Sequence, residues 1–198
     1  MRLFVGVAIN AQVVERIAEC LDELRRRVVQ RAPRARISWV SPDRLHVTVR
    51  FIGEASDRQA REIATSLSPI LPLDPFGAIF TGIGAFPPHG PPRVLWAGIG
   101  AGVEPFVALE REVTARLDAC GIPSEQRPYR PHVTLARVRE PVGLRARPLL
   151  DKFHDRAFGA SSVETITLFQ SCLSPKGSVY VPLQSTHLHR ASSHERMN

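Results

Sequence analysis

Apolar positions along the chain follow two spacings, and their order predicts a mixed α+β protein built mainly on antiparallel strands. Alternation rich in β-branched and aromatic residues predicts strands at residues 2–9, 37–40, 45–52, 76–85, 93–100, 131–137, 163–173 and 179–182. Helical spacing predicts helices at residues 10–31, 56–71 and 104–120, with a short helical segment near 149–154. Asn10 and the Ser56/Gln59 pair are suited to cap the first two helices.

The tripeptide His-Val-Thr occurs twice, in the stretches LHVTVRF and PHVTLAR. Both copies lie in predicted strands. Because alternate side chains of a strand point to opposite faces, His46 and Thr48 share one face, and so do His132 and Thr134. Each copy therefore presents an imidazole and a hydroxyl together from a strand whose other face is apolar.

The two copies stand about half a chain length apart, each late in a segment that contains a strand, a helix and a further strand. This order predicts two pseudo-symmetric lobes with helices on the outside, each placing one motif strand at a central cleft. We expect residues 1–184 to form this single bilobed domain. Residues 185–198 lack apolar periodicity, and we expect a flexible tail there.

Two imidazoles facing one cleft suit a reaction that removes one proton and delivers another. Hydrolysis of a phosphodiester needs a general base for water and a general acid for the leaving oxygen. His46 and His132 are candidates for this pair. Thr48 and Thr134 could donate hydrogen bonds to the non-bridging oxygens, where negative charge must be stabilised. Nothing in this scheme requires a metal.

The charge balance favours a polyanionic partner such as RNA or a nucleotide, because the chain has 26 basic and 19 acidic residues and a net charge of +7. Much of the excess is arginine in LRRRVVQRAPRAR. In the simpler interpretation, the helical part of that stretch is a solvated helix face with no functional role.

Other classes of protein find little support in the sequence. No run is long and apolar enough for a membrane span, and the first residues lack a signal-peptide pattern, so we expect a cytoplasmic protein without a membrane partner. The three cysteines are widely spaced, which favours buried free thiols over a disulfide or zinc. Without an H-E-x-x-H motif, a carboxylate-rich loop or a P-loop, we expect no metal and no cofactor.

In its motifs the sequence resembles the two-histidine (2H) phosphoesterase superfamily, whose mark is a pair of H-x-[ST]-x motifs with an apolar last position. Beyond them it resembles the RNA 2′,3′-cyclic phosphodiesterase family, also called 2′-5′ RNA ligase-like. The similar stretches are MRLFVGVAI, WVSPDRLHVTVRFIGE, GAFPPHGPPRVLWAGI, RPYRPHVTLARVR and ITLFQSCLSPKGSVYVPL. The resemblance extends over nearly the whole chain before the tail.

The resemblance implies a bilobed fold and a metal-independent hydrolase in RNA processing. Its reaction opens a terminal 2′,3′-cyclic phosphate on RNA to a 2′-phosphate, and its reverse chemistry is 2′-5′ ligation. Carried over by motif position, His46 and His132 are catalytic, and Thr48 and Thr134 bind phosphate. We assign His132 as the base and His46 as the acid, and the opposite assignment stays open.

Three further residues lie near the motifs, and two of them have more than one interpretation. Arg130 could contact the phosphate or a neighbouring nucleotide as a strand neighbour of His132, or be a surface arginine. Tyr129 could stack on a base or pack half-buried. Arg50 stands where the family commonly has lysine.

Two other functions compete with an RNA phosphodiesterase. The same cleft could bind a nucleotide or RNA end without turnover, or the motif histidines could be satisfied core residues. Two proton-transfer groups are more than binding requires, which favours the enzyme. We expect the protein to act as a monomer, and the sequence leaves the physiological substrate open.

Overall fold

The computed structural model describes residues 1–174 and 177–189 as a curved antiparallel sheet with helices packed against it. The strands are β1 (Arg2–Ala8), β2 (Arg36–Trp39), β3 (His46–Glu54), β4 (Phe76–Phe86), β5 (Val94–Ala101), β6 (Val133–Glu140), β7 (Ala157–Val163), β8 (Thr165–Ser174) and β9 (Gly177–His187). The helices are α1 (Ala11–Arg31), α2 (Asp57–Leu67), α3 (Val103–Asp118) and α4 (Ala146–Leu150), and a 3₁₀ turn covers Pro42–Arg44.

The sheet consists of two lobes joined between the motif strands. Its strand order is β7-β4-β5-β6-β3-β1-β8-β9, with β2 added alongside β6. Strands β3 and β6 pair only at Val47 and Val133, whereas their other neighbours pair along most of their length. The expected α+β architecture of two antiparallel lobes is therefore confirmed, with one motif strand from each lobe at the junction.

Read outward from the junction, the two lobes have the same plan. One lobe is β3-β1-β8-β9 and the other is β6-β5-β4-β7, each with four antiparallel strands and its motif strand innermost. The helices cross between lobes, because α1 follows β1 yet packs against β7, and α3 follows β5 yet packs against β3. This exchange ties the lobes together.

Helix α1 begins where the sequence predicts, and its arginines have a structural role. The Asn10 side chain accepts a hydrogen bond from the Val13 amide and caps the helix. The Arg25 guanidinium lies over the Trp39 ring at 5.4 Å. Arg27 is paired with a carboxylate of the segment after α4 and lies over a buried phenylalanine ring. Part of the helix face that was expected to be solvated therefore holds α1 against its neighbours.

Several predicted elements differ from those observed. The strand expected at residues 163–173 is broken at Glu164, where β7 ends and β8 begins. Glycine and serine dilute the apolar pattern of β7, which conceals it in the sequence. The short helix lies at 146–150 rather than 149–154, and α2 ends at Leu67 rather than near residue 71.

The C-terminal segment is ordered further than the sequence predicts. Strand β9 runs to His187, and Leu188 is 5% exposed and bridges to Leu71. The expected domain boundary at residue 185 therefore falls inside a strand. The rest of the expected tail, from residue 190 onward, lies outside the described residues.

Candidate active site

The two His-Val-Thr motifs meet at the junction of the lobes. Val47 and Val133 are fully buried, so the residues on either side of each valine project from the opposite face. Because β3 and β6 are antiparallel, the Val47–Val133 pair sets His46 beside Thr134 and Thr48 beside His132. On such a ladder His46 and His132 are diagonal neighbours on one face, within reach of long side chains.

Each motif histidine is oriented by the backbone two residues before it. The Nδ1 atom of His46 lies 2.8 Å from the carbonyl oxygen of Arg44, and Nδ1 of His132 lies 2.6 Å from that of Arg130. A carbonyl can only accept, so Nδ1 carries the hydrogen in both rings. In the neutral imidazole this leaves Nε2 as the basic nitrogen. Both motifs therefore hold Nε2 for exchange of a proton.

Aromatic rings enclose His46. Its ring stacks on Phe4 with centroids 4.9 Å apart, and the edge of Tyr180 contacts it at 5.2 Å. Its Nε2 lies 3.0 Å from the hydroxyl oxygen of Thr48. A side chain on Gly6 would come within 3.2 Å of this ring, so the glycine in β1 gives the imidazole its room.

His132 faces a cleft of about 650 Å³ that Thr48 also lines. The Phe86 ring meets the imidazole edge-on at 5.2 Å, and the Trp96 ring lies 6.3 Å away. Thr134, the partner residue in this motif, is half-buried on β6 opposite Trp96 in the register of β5. His46 and Thr48 therefore both lie on β3, whereas Thr134 lies on β6 and His132 directly precedes that strand.

The surroundings lower the pKa of both imidazoles. Burial is the main cause for each, because removing the ring from water disfavours its charged form. The carbonyl contacts of Arg44 and Arg130 oppose this effect, since they stabilise a protonated ring. The charge of His132 lowers the pKa of His46 further, which indicates that the two rings interact.

The structure places Arg130 outside the strand expected for it, and Tyr129 in one of its two expected settings. Arg130 precedes β6 and is not a strand neighbour of His132; its exposed side chain lines the cleft, and its carbonyl holds the imidazole. Tyr129 is half-buried, and its hydroxyl donates to the carbonyl oxygen of Thr48 at 3.0 Å. Burial raises the pKa of the Tyr129 hydroxyl. The packing interpretation of Tyr129 therefore has the better structural support.

Sequence reasoning missed the role of Arg50. This side chain is 3% exposed, donates from Nη2 to the carbonyl of Pro123 at 2.5 Å, and pairs through Nη1 with Glu125 at 3.4 Å. It therefore ties β3 to the segment that leads into the second motif. In the sequence, the sign of this role is a positive charge two positions after Thr48, between Val49 and Phe51. The resemblance to the family explains it only as a replacement for lysine.

Among residues 1–174 and 177–189, no group of three or more His, Cys, Asp or Glu side chains could hold a metal ion. All three cysteines are free; Cys20 is buried as the sequence predicts, whereas Cys120 and Cys172 are only partly buried. None of the helices described is long and apolar enough to cross a membrane.

Comparison with known proteins places the chain in a family. The model of the 2′-5′ RNA ligase superfamily matches residues 11–171. The chain belongs to the 2′-5′ RNA ligase superfamily. A relative from Archaeoglobus fulgidus, an RNA 2′,3′-cyclic phosphodiesterase, is 31% identical over 93% of this chain and 98% of its own length. Another of that name, from Aquifex aeolicus, is 34% identical over 76% of this chain and 81% of its own.

Solved structures agree with this placement in the 2′-5′ RNA ligase superfamily. The crystal structure of TT0787 from Thermus thermophilus superposes with a TM-score of 0.71 and 30% identity, over 97% of this chain and 100% of the other. E. coli LigT in complex with 3′-AMP gives a TM-score of 0.74 over 96% and 98% of the chains. At 22% identity, LigT shows the shared fold only. The predicted 2H phosphoesterase fold is confirmed.

Proposed function

We propose that this chain is an RNA 2′,3′-cyclic phosphodiesterase that hydrolyses a terminal cyclic phosphate to a 2′-phosphate. The observation that carries the proposal is the meeting of two His-x-Thr motifs at the lobe junction, each with Nδ1 bonded to a carbonyl and Nε2 free of the backbone. The shared name of the relatives supports this substrate. We further propose that the protein acts on RNA as a monomer in the cytoplasm.

The reaction needs two proton transfers on opposite sides of phosphorus. In our assignment, Nε2 of His132 takes a proton from water while the water oxygen forms a bond to phosphorus. The bond from phosphorus to the 3′ oxygen breaks, and Nε2 of His46 gives that oxygen a proton. The products are a 3′-hydroxyl and a 2′-phosphate.

The two threonines of the motifs stabilise the negative charge that develops on the phosphate oxygens while water adds and the 3′ oxygen leaves. The hydroxyl of Thr48, which lies 3.0 Å from Nε2 of His46, and the hydroxyl of Thr134 can donate to the non-bridging oxygens. Ring strain in the cyclic diester favours opening once the group is held in place. If a 5′-hydroxyl replaces water as the nucleophile, the same steps join two RNA ends through a 2′-5′ linkage. The site therefore serves ligation as well as hydrolysis.

The decisive experiment follows the product of one defined substrate. An oligoribonucleotide ending in a 2′,3′-cyclic phosphate is incubated with the protein in EDTA, and the phosphate isomer formed is determined by ³¹P NMR. We expect full turnover in EDTA and a 2′-phosphate product, because the two imidazoles supply both proton transfers. A 3′-phosphate product contradicts the assigned leaving oxygen. If the protein binds the RNA but does not turn it over, the protein is a binding module and the proposed enzyme function is wrong.

The pH dependence follows from the lowered pKa values of the two imidazoles. One ring must be neutral and the other protonated, so kcat/KM is expected to be bell-shaped. Both pKa values lie below the usual value of about 6.5, so the maximum is expected below that pH. As pH rises further, the acid loses its proton and kcat/KM falls. A kcat/KM profile measured between about pH 4.5 and 8.5 checks this.

The pH profile of kcat provides an internal control for the pH profile of kcat/KM. A bound cyclic phosphate carries a negative charge, which stabilises the protonated imidazole and raises its pKa. The kcat maximum is therefore expected at higher pH than the kcat/KM maximum. A kcat/KM that keeps rising to alkaline pH contradicts acid catalysis by a histidine with a lowered pKa.

A further inference from the structure

A second, larger groove lies beside the catalytic cleft on the outer part of the β6 lobe. Its volume is about 1050 Å³, against about 650 Å³ for the cleft that holds His132. Its walls are the turn between β4 and β5, at residues 88–91, and the segment 143–148 at the start of α4. Gly84 and Trp96 also line it, and we call it the α4 groove. Nothing in the proposed hydrolysis step uses this groove.

The α4 groove is basic and has no acidic lining residue. Arg145, Arg147 and His89 line it with exposed side chains. Among residues 1–174 and 177–189, no carboxylate forms an ion pair with either arginine. The cleft at His132 differs, because Glu110 and Glu125 are part of its lining. Unpaired guanidinium groups without competing acids are suited to a chain of phosphates.

An aromatic surface connects the α4 groove to the active site. Trp96 lies opposite Thr134 in the β5–β6 register, and the Phe86 ring contacts both Trp96 and His132 at 5.2 Å. A Cβ on Gly84 would come within 2.1 Å of the indole, so the Trp96 ring lies directly against the glycine. The Trp96 ring is half-buried and lines the groove with its exposed part, on which a base could stack.

We propose that the α4 groove binds the single-stranded RNA segment on the 5′ side of the cyclic phosphate. The proposal rests on the phosphodiesterase function and specifies its substrate as an oligonucleotide rather than a cyclic mononucleotide. With the terminal phosphate at the histidines, the chain passes Phe86, stacks on Trp96 and places its phosphates near Arg145 and Arg147. Basic groups beside a stacking ring are the general arrangement for single-stranded nucleic acid.

The test compares one substrate that reaches the groove with one that does not. The double variant Arg145→Gln/Arg147→Gln is assayed with an oligoribonucleotide of roughly eight nucleotides ending in a cyclic phosphate, and with a 2′,3′-cyclic mononucleotide. We expect kcat/KM for the oligonucleotide to fall about tenfold or more at moderate salt, and kcat/KM for the mononucleotide to stay unchanged. Loss of two phosphate contacts should reduce the salt slope for oligonucleotide binding by about 1.4.

A matched variant separates the groove from general charge effects. Arg61→Gln/Arg111→Gln removes the same charge from two exposed arginines on α2 and α3, and we expect wild-type activity on both substrates. Wild-type kcat/KM of the groove variant on both substrates, or the same fold loss on both, overturns the proposal while leaving the enzyme in place. If the wild type turns over neither substrate, the proposed phosphodiesterase function is wrong, and the groove proposal fails with it.

Discussion

Replacement of either His46 or His132 by alanine is expected to lower kcat/KM for cyclic-phosphate RNA by a factor of about 10²–10⁴, the usual contribution of a general acid or base. Each ring has Nδ1 held by a carbonyl and Nε2 available for a proton, so neither can replace the other. The measurement is steady-state hydrolysis of an oligoribonucleotide by the wild type and the two variants. Thermal unfolding of each variant shows whether the fold is kept.

His187→Ala is the matched control for this prediction. Its side chain is exposed at the end of β9, the outermost strand of its lobe, where Nδ1 lies 3.1 Å from the hydroxyl oxygen of Thr165. We expect wild-type kcat/KM. If either motif variant retains activity close to that of the wild type, the acid/base pair proposed here is wrong.

A substrate with sulfur in place of the 3′ bridging oxygen distinguishes the acid from the base. A thiolate leaves without needing a proton, so a variant that lacks the general acid should recover much of its activity. In our assignment His46→Ala is rescued by the sulfur substrate and His132→Ala is not. The opposite pattern reverses the two roles and leaves the pair intact.

Substitution Arg50→Met is expected to lower the free energy of unfolding by about 1.5–3 kcal/mol, the typical value of a hydrogen bond from a charged group. The buried guanidinium donates to the carbonyl of Pro123, and methionine fills similar space but cannot donate. Urea denaturation of wild type and variant measures the difference. Because Arg50 fastens the segment before the second motif to β3, kcat/KM should fall as well.

The partner residue Glu125 provides the control for Arg50. The Glu125 side chain is 54% exposed, so water screens its ion pair with the buried Arg50. Glu125→Gln should therefore change stability much less than Arg50→Met. If the two variants are equally destabilised, the ion pair rather than the bond to Pro123 holds the segment. Unchanged stability of Arg50→Met would remove the role assigned to this arginine.

Several features of the site could be predicted because they depend on short-range patterns. Alternation along a strand places His46 with Thr48, and His132 with Thr134, on one face whatever the rest of the chain does. The caps of α1 and α2 were equally local, since Asn10 and Ser56 each bond an amide three residues ahead. The duplicated motif further predicted two lobes, and the strand order bears this out.

Features that depend on distant segments could not be predicted. The single Val47–Val133 pair, which sets each histidine beside the threonine of the other motif, joins strands far apart in the chain. The sequence allows half-buried packing for Tyr129 and a lysine-like role for Arg50, but not the finding that both tie the loop before β6 to β3. Their partners are backbone carbonyls, which carry no mark in a sequence.

By itself, the sequence of this protein determined the chemistry available and the face from which each motif presents it, because side-chain periodicity in a strand is a property of the local backbone. Only the tertiary structure decided that the motifs share one junction, that Arg50 and Tyr129 tie the loop before β6 to β3, and that exposed arginines line a groove of the β6 lobe. These features arise from strand pairing and packing between the lobes, which no single stretch of the chain encodes.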